Sequence, residues 1–404
     1  MTPRPYQLIG RDFLAARTRA LLADQMRVGK TPQAIMAADM VGAERVLVLC
    51  PAIAAYQWRE QWAEWSDRAP AVILGKDTPP TGFKGVLVTS YNRALLHSAA
   101  LTAAPKWDAL IVDEAHFAKN PAAQRTQFVY GKGGVGWNSK RIWALSGTPA
   151  PNHAGELWPM LRAFGAVKCD YLSFVRHFCH YSDLERRVFG NKRHRLGELR
   201  ALVEPIALRR TLREVAPDMP RVAYNMLAIE SRGVDYRSDV RDEIKDDDRI
   251  AVALAKTKPL ATEITECLER GDYQQTVVFG FHVEPLKEMV RLLAARGVSA
   301  DTITGGTSLP KRETIQAAFR AGACQVLVAQ IIAAGTAIDL SSAQHGYLLE
   351  LDWNPANNAQ AAHRLVNVQT QDPVTIDVLT APGTMDDRVQ RTLLRKVRDA
   401  VFKT

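Results

Sequence analysis

Short apolar runs recur along the first 150 residues, and each is followed by a stretch of helical periodicity. Leu21-Leu22, then Val46-Leu47-Val48-Leu49-Cys50, Val86-Leu87-Val88, Leu110-Ile111-Val112 and Ile142-Trp143-Ala144-Leu145 have the length and β-branched content of buried strands. The third ends on the polar series Thr89-Ser90-Tyr91-Asn92, and the fourth on Asp113-Glu114-Ala115-His116. Between them lie helical patterns, among them Ile35, Met36, Ala37 and Ala38 after the first run and Trp58, Trp62 and Trp65 after the second. Spacings of four and three put the tryptophans on one helix face, where core packing is favoured over base stacking. Strands alternating with helices predict a parallel, doubly wound sheet.

The pattern changes between about 150 and 220. Strand runs vanish, helical series take over (Leu157, Met160, Leu161, Phe164; Leu199, Leu202, Val203, Ile206), and cations accumulate from Arg186 to Arg213. A charged stretch from Asp235 to Arg249 reads as solvated and close to a boundary. From about 260 the α/β rhythm returns through Thr276-Val277-Val278-Phe279, Gln325-Val326-Leu327-Val328 and Tyr347-Leu348-Leu349. The organisation predicted is a first α/β lobe over 1–150, a helical insertion over 151–225, and a second lobe over 226–404.

Composition narrows the class. The chain has 404 residues, 47% hydrophobic and 24% charged, which suits a globular protein of more than one domain. A net charge of +9 suits a polyanionic partner. The odd count of five cysteines with no Cys-x-x-Cys points to reduced thiols and a cytosol-like compartment. No signal peptide or membrane-length apolar run is visible. Cys169, His177, Cys179 and His180 lack the spacing of paired zinc ligands.

Two stretches carry the candidate chemistry. Leu21-Leu22 leads into a loop closing on Gly29-Lys30-Thr31 ahead of a helix. Amides at a helix start face phosphates, a lysine reaches the β and γ oxygens, and a threonine hydroxyl sits on Mg²⁺. The strict phosphate-loop pattern has glycine five residues before Gly29, where this chain has Asp24. Asp113 and Glu114 sit at the carboxyl end of a buried strand, where ligands of open α/β sheets bind. There one carboxylate can reach a nucleotide's Mg²⁺ and the other can orient water. Near the N-terminus, Arg4-Pro5-Tyr6-Gln7 opens a helix, and the Gln7 amide can pair with an adenine edge. The loop Gly131-Lys132-Gly133-Gly134-Val135-Gly136 resembles a phosphate cradle in composition, but no helix start follows, so it is read as a flexible loop.

In order along nearly the whole chain, these stretches resemble the SNF2-type ATPases of helicase superfamily 2. Arg-Pro-Tyr-Gln at 4–7 resembles the adenine-contacting segment, 22–31 the phosphate loop and 113–116 the DEAH-type Mg²⁺ and water site. Ser146-Gly147-Thr148-Pro149 with Asn152 resembles the coupling motif, and Leu208-Arg209-Arg210-Thr211 the end of the SNF2 insertion. In the second half, 301–319, 326–340, Asp352-Trp353-Asn354-Pro355 and Gln360-Ala361-Ala362-His363-Arg364 resemble the remaining motifs. Ala333-Ala334 and Ser341-Ser342 lean towards the annealing-type fork remodellers. The chain departs from the family at Gln25 (usually Glu), at Arg27, Ala334 and Ala337 (usually Gly), and at Asn367, where a second arginine is usual.

The resemblance implies two tandem RecA-like lobes with a helical insertion closing the first. It implies ATP and Mg²⁺ as cofactors, with Gln7, Gly29, Lys30, Thr31 and Asp113 binding them and Thr31 and Asp113 on the metal. Lys30, Asp113, Glu114 and Arg364 would act in catalysis. Ser90, Tyr91, Asn92, Lys119, Asn120, Thr304 and Trp353 would contact nucleic acid. The implied function is a DNA-stimulated ATPase that moves along double-stranded DNA, a bare monomeric motor of phage or bacterial type in the cytoplasm. The alternatives are an ATP-gated DNA clamp or scaffold with weak turnover, motivated by Asn367, and an RNA-directed motor, disfavoured by the insertion.

Overall fold

The computed structural model describes residues 2–68, 71–77, 79, 83–103, 105–217, 222–229, 246–334, 340–366, 373–398 and 400. The chain divides into two compact units, 1–217 with 397–404, and 218–396.

The first unit is built on strands β1 (Arg19–Leu22), β2 (Arg45–Cys50), β3 (Val72–Ile73), β4 (Gly85–Ser90), β5 (Trp107–Asp113), β6 (Ser139–Leu145), the hairpin β7 (Cys179–Ser182) and β8 (Arg187–Asn191), and β9 (Ala207–Leu208). Its helices are α1 (Pro5–Ala15), α2 (Lys30–Met40), α3 (Ala54–Trp65), α4 (Tyr91–Leu96), α5 (Ser98–Thr102), α6 (Gln124–Tyr130), α7 (Trp158–Ala163), α8 (Tyr171–Phe178), α9 (Leu196–Val203) and α10 (Leu212–Val215). Seven strands form one sheet in the order β3-β4-β2-β5-β6-β1-β9, every pairing parallel. Alternate residues of each central strand feed two cores. Leu47, Leu49, Leu110 and Val112 face one, and Val46, Val48 and Ile111 face the other with Trp58 and Trp62. A strand covered on both faces must be apolar throughout, which is why these runs do not alternate with polar residues.

The second unit carries β10 (Val222–Ala228), α11 (Asp246–Arg270), β11 (Thr276–Gly280), α12 (Val283–Ala294), β12 (Ala300–Ile303), α13 (Leu309–Arg320), β13 (Val326–Gln330), α14 (Ile331–Ala334), β14 (His345–Leu348), α15 (Pro355–Ala362), β15 (Val374–Thr380) and α16 (Asp386–Arg398). Its six strands are again all parallel, in the order β10-β15-β14-β11-β13-β12. Among the described residues no helix is long and apolar enough to cross a membrane, and all five cysteines are free thiols.

The structure differs from the sequence pattern in three places. The segment after 150 is not purely helical: it contains the antiparallel β7–β8 hairpin, and β9 returns to pair with β1. The run ending Ser90-Tyr91-Asn92 stops as a strand at Ser90, whose hydroxyl accepts from the Arg93 amide and starts α4. The glycine-rich loop at 131–136 is a set of closed turns, with Val135 N–H bonded to Phe128 O at 2.7 Å and Gly136 N–H to Val129 O at 3.1 Å.

Those turns need their glycines. A Cβ at Gly134 would stand 2.3 Å from the Phe128 carbonyl oxygen, whereas one at Gly133, at φ +80°, would meet nothing within 4 Å. Gly133→Ala should therefore cost about 1–2 kcal/mol for its left-handed backbone. Gly134→Ala should cost about 1–3 kcal/mol by forcing two backbone segments apart. Urea midpoints following tryptophan fluorescence test the ranking, and equal midpoints would contradict the close packing.

Candidate nucleotide site and nucleic-acid contacts

Strand β1 ends at Leu22, and the chain turns through 23–29 into α2. Gly29 caps that helix at φ +76°, which a side chain adopts only under strain. Arg27, where the resembling family carries glycine, is also left-handed at φ +68°. The Lys30 ammonium folds back onto its own loop, donating to the carbonyls of Asp24 at 2.8 Å and Gln25 at 3.2 Å. Desolvation pulls the Lys30 pKa down, against the nearby charges of Glu114, Asp24 and Asp113. Gln7 lies directly against this turn: a Cβ on Gly29 would be 2.6 Å from its Nε2. Its Oε1 accepts from the Arg4 amide at 2.8 Å, which fixes the side chain.

Asp24 explains the missing first glycine. Its carboxylate is fully buried and accepts from the Arg210 amide and Nε, each at 3.0 Å, and from Arg210 Nη2. The same guanidinium donates to Tyr6 O at 2.5 Å and Gln33 Oε1 at 2.8 Å. Gln33 in turn donates to Val28 O and Gly29 O, at 3.2 and 3.0 Å. Gln25 Oε1 accepts from the Leu212 amide at 2.8 Å, and Arg209 donates to Ala23 O at 2.7 Å and Gly147 O at 3.0 Å. The phosphate loop is thus braced by a segment nearly two hundred residues downstream.

The acid strand is braced as tightly. Asp113 Oδ2 accepts from Trp58 Nε1 at 2.7 Å, and Tyr91 donates its hydroxyl to the Asp113 carbonyl at 2.6 Å. Burial, and then the charge of Glu114, raise the Asp113 pKa to about 6 against the Trp58 hydrogen bond and the Lys30 charge. Glu114 is left-handed at φ +46° and lies 3.3 Å from His116 Nδ1. His116 also meets Ser146 Oγ at 3.1 Å. Beyond Ser146, a Cβ on Gly147 would sit 3.2 Å from Met26 Cγ, so the coupling segment runs against the phosphate loop.

Two half-buried carboxylates near the Lys30 ammonium form a donor set suited to a hard divalent ion carried on a triphosphate. Asp113 and Thr31 would hold Mg²⁺, and Gly29, Lys30 and Gln7 the nucleotide.

The residues expected at nucleic acid are placed variously. Tyr91 is 4% exposed and stacks on Phe117 with ring centroids 5.8 Å apart. In place of an exposed contact it is a buried support for Asp113, because its ring faces the core once α4 begins. Ser90 caps α4, while Asn92 and Asn120 are exposed. Lys119 pairs with Glu156 at 2.8 Å, and Asn152 Nδ2 also donates to Glu156 at 2.8 Å. Burial pushes the Glu156 carboxyl up, and these partners more than reverse it. In the second unit, Thr304 is half-buried, its amide donating to Thr307 Oγ1 at 3.0 Å. The Arg249 guanidinium lies 5.3 Å from the Trp353 ring centre. Arg364 follows α15, its carbonyl accepting from Leu340 N–H at 3.1 Å. Asn367 and Ala337 lie outside the described residues. Sequence reasoning missed Trp58 and Tyr91 as supports of Asp113, and Gln33 as a link between Arg210 and the loop. Their signal was ambiguous, since each is also a good core or helix residue.

Two parallel sheets with flanking helices, one after the other along the chain, are the architecture of tandem RecA-like lobes. The SNF2-related domain matches residues 6–237 and the helicase conserved C-terminal domain residues 258–368, so the chain belongs to the SNF2-related family of helicase superfamily 2 ATPases. It is 27% identical, over 98% of its length, to the Xenopus tropicalis SWI/SNF-related matrix-associated actin-dependent regulator of chromatin subfamily A-like protein 1, covering 44% of that protein. It is 24% identical to the Bos taurus DNA annealing helicase and endonuclease ZRANB3, over 98% of this chain and 40% of that one. It therefore spans less than half the length of these relatives. The Sulfolobus solfataricus SWI2/SNF2 ATPase core, solved in complex with dsDNA, has a similar fold, with a TM-score of 0.51 and 20% identity, over 98% of this chain and 91% of that one.

The Asp24–Arg210 pair gives a direct test. Arg210→Ala leaves a buried carboxylate without its counter-charge and should cost about 3–5 kcal/mol. Asp24→Asn combined with Arg210→Gln removes both charges and should cost clearly less. Denaturant unfolding of wild type, Asp24→Asn, Arg210→Gln and the double variant measures the coupling. Losses that simply add would show that the two side chains act independently.

Proposed function

We propose that the chain is an ATP-dependent double-stranded DNA translocase or remodeller of the SNF2 type. The observation that carries this reading is the convergence of Gly29-Lys30-Thr31 at the start of α2 with Asp113 and Glu114 at the end of β5. Lys30 leaves its loop carbonyls to hold the β- and γ-phosphates, and Gln7 pairs with the adenine edge. Glu114 orients the attacking water. Thr31 and Asp113 would hold a magnesium ion, which would neutralise charge on the phosphates. Arg364 of the second lobe is assigned the cation that offsets charge building on the γ-phosphate. His116, Ser146 and Gly147 form a continuous contact from Glu114 to the phosphate loop, suited to transmitting a change in nucleotide state.

The DNA grip is assigned to Ser90, Asn92, Lys119 and Asn120 in the first lobe and to Thr304 and Trp353 in the second. The net charge of +9 supports a phosphate-directed, sequence-blind contact. The relatives' names, an annealing helicase among them, and the archaeal core solved on dsDNA support duplex DNA as the partner.

Lys30→Ala should abolish DNA-stimulated hydrolysis by weakening nucleotide binding, whereas Glu114→Gln should keep binding and lose turnover. Steady-state ATPase with duplex DNA, single-stranded DNA, RNA and no nucleic acid, together with nucleotide binding, checks both. Unchanged turnover in both variants would remove the site assignment. ATP-dependent DNA binding by the wild type without turnover would favour a clamp.

Duplex binding should weaken steeply with salt, each neutralised phosphate adding about 0.9 to the log–log slope. Movement should displace the third strand of a triplex without unwinding a tailed duplex. A flat salt response, or unwinding without triplex displacement, contradicts a duplex-tracking motor.

A further inference from the structure

A cavity in the first unit is lined by no residue of the nucleotide site. It encloses about 780 Å³ between α6 and α7, open past the starts of β1 and β5. That volume is within the range of small-molecule sites. Four cations line it, Arg19, Lys106, Lys132 and Arg162, and no aspartate or glutamate does. None of the four pairs with a carboxylate among the described residues. Arg19 donates to the carbonyls of Thr18 and Lys140, both at 2.9 Å, and Arg162 reaches only Val167 O at 3.4 Å. Burial holds the Arg19 pKa below its usual value. Four like charges around one space with no internal anion leave a positive potential that a bound anion would relieve.

The apolar part of the wall includes two tryptophans. Trp137 is 67% exposed although it follows the tightly closed glycine turns. Trp158 is fixed by its Nε1 hydrogen bond to Cys169 O at 3.0 Å and by an edge contact with Tyr171. The hydroxyls of Thr126 and Tyr130, also in the wall, have no hydrogen-bond partner among the described residues. The glycine-rich loop does not itself cradle an anion, because the amides of Gly131, Gly134, Val135, Gly136 and Trp137 are spent on its own turns. Recognition falls to the side chains: guanidinium and ammonium groups for a phosphate, and indole faces for a flat ring.

We propose that the cavity between α6 and α7 is a second binding site, separate from the ATP site, for a phosphate-bearing planar ligand of the nucleotide class. The shared chemistry is one phosphate joined to one base. It can come from a free mononucleotide or from the 5′-phosphorylated end of a strand. Helix α6 follows the Asp113–His116 turn, and α7 follows the coupling segment. A ligand gripping both helices would bear on the two loops that meet at Ser146.

The test is calorimetric titration of the full chain carrying Lys30→Ala, so that the phosphate loop does not contribute. The probes are AMP, adenosine, inorganic phosphate and a 5′-phosphorylated trinucleotide. AMP should bind with one-to-one stoichiometry, and adenosine and phosphate should each bind at least about tenfold more weakly. Adding Arg162→Ala or Trp137→Ala should each weaken AMP about tenfold, the size expected for one charge-assisted hydrogen bond or one stacked base. Both side chains are at the cavity surface, and circular dichroism confirms that the variants fold. A trinucleotide that binds more tightly than AMP supports the proposal with a strand end as source. One that binds no more tightly supports it with free nucleotide as source. Absence of AMP binding, AMP binding unchanged in both variants, or phosphate binding as tightly as AMP overturns it.

Discussion

The buried carboxylate of Asp24 and the guanidinium of Arg210 fix the geometry on which the nucleotide site depends. Strand β9 shares only two register positions with β1, Leu21 with Ala207 and Leu22 with Leu208. So short a pairing has little stability of its own. The ion pair continues it past the strand ends, with Ala23 N–H on Leu208 O at 2.7 Å and Gln25 N–H on Arg210 O at 2.9 Å. A buried ion pair is a weak source of net stability, because desolvation offsets most of the attraction. Its value here is registration. The arrangement of residues 207–212 that satisfies Asp24 also places Arg210 on Tyr6 and Gln33, so α1, α2 and the loop are tied together.

That bracing is needed because the site is strained. Arg27 and Glu114 both occupy left-handed backbone, at φ +68° and +46°, which costs a side-chain-bearing residue about 1–2 kcal/mol each. Such conformations persist where the surroundings over-determine them. Glu114 is held by its amide on Asp113 Oδ1 at 3.0 Å and by His116, and Asp113 by Trp58 and Tyr91. The turn aims Glu114 beyond the strand end while Asp113 stays pinned to the core. Two adjacent carboxylates thereby acquire different surroundings.

Much of this was legible in the chain. Uniformly apolar strands with polar ends gave away two parallel sheets, with Gly29-Lys30-Thr31 at the start of α2 and Asp113-Glu114 at the end of β5. What stayed hidden has physical causes. A tryptophan stripe at helical spacing buries the same way whether or not one indole N–H reaches a carboxylate, so Trp58 looked like packing alone. Tyr91 followed a polar strand end, and only the capping of α4 by Ser90 turns its ring inward. The β7–β8 hairpin lies in a cation-rich segment whose strands are too short for a period-2 signal. The partner of Asp24 lies nearly two hundred residues away, and no local pattern announces it. The glycines of 131–136 suggested mobility, yet close backbone approach demands them.

The second unit shows why a strand followed by a helix start is not enough to bind a phosphate. After β11 the amides of Phe281 and His282 point together at the entrance of α12, the arrangement that attracts anions at a helix N-terminus. Here they donate to Glu350 Oε2, at 3.1 and 2.9 Å, while His282 Nδ1 meets Glu350 Oε1 at 2.6 Å. Glu350 is 5% exposed and comes from the segment after β14. A carboxylate tethered in the seat has the advantage of an intramolecular partner, so a free phosphate competes poorly for it. In the first unit the internal carboxylate, Asp24, is turned away onto Arg210, and the amides at the start of α2 are not committed to it. The two units thus use one architectural element in opposite ways. The direction in which the internal carboxylate points decides whether the amides at the helix start are already occupied.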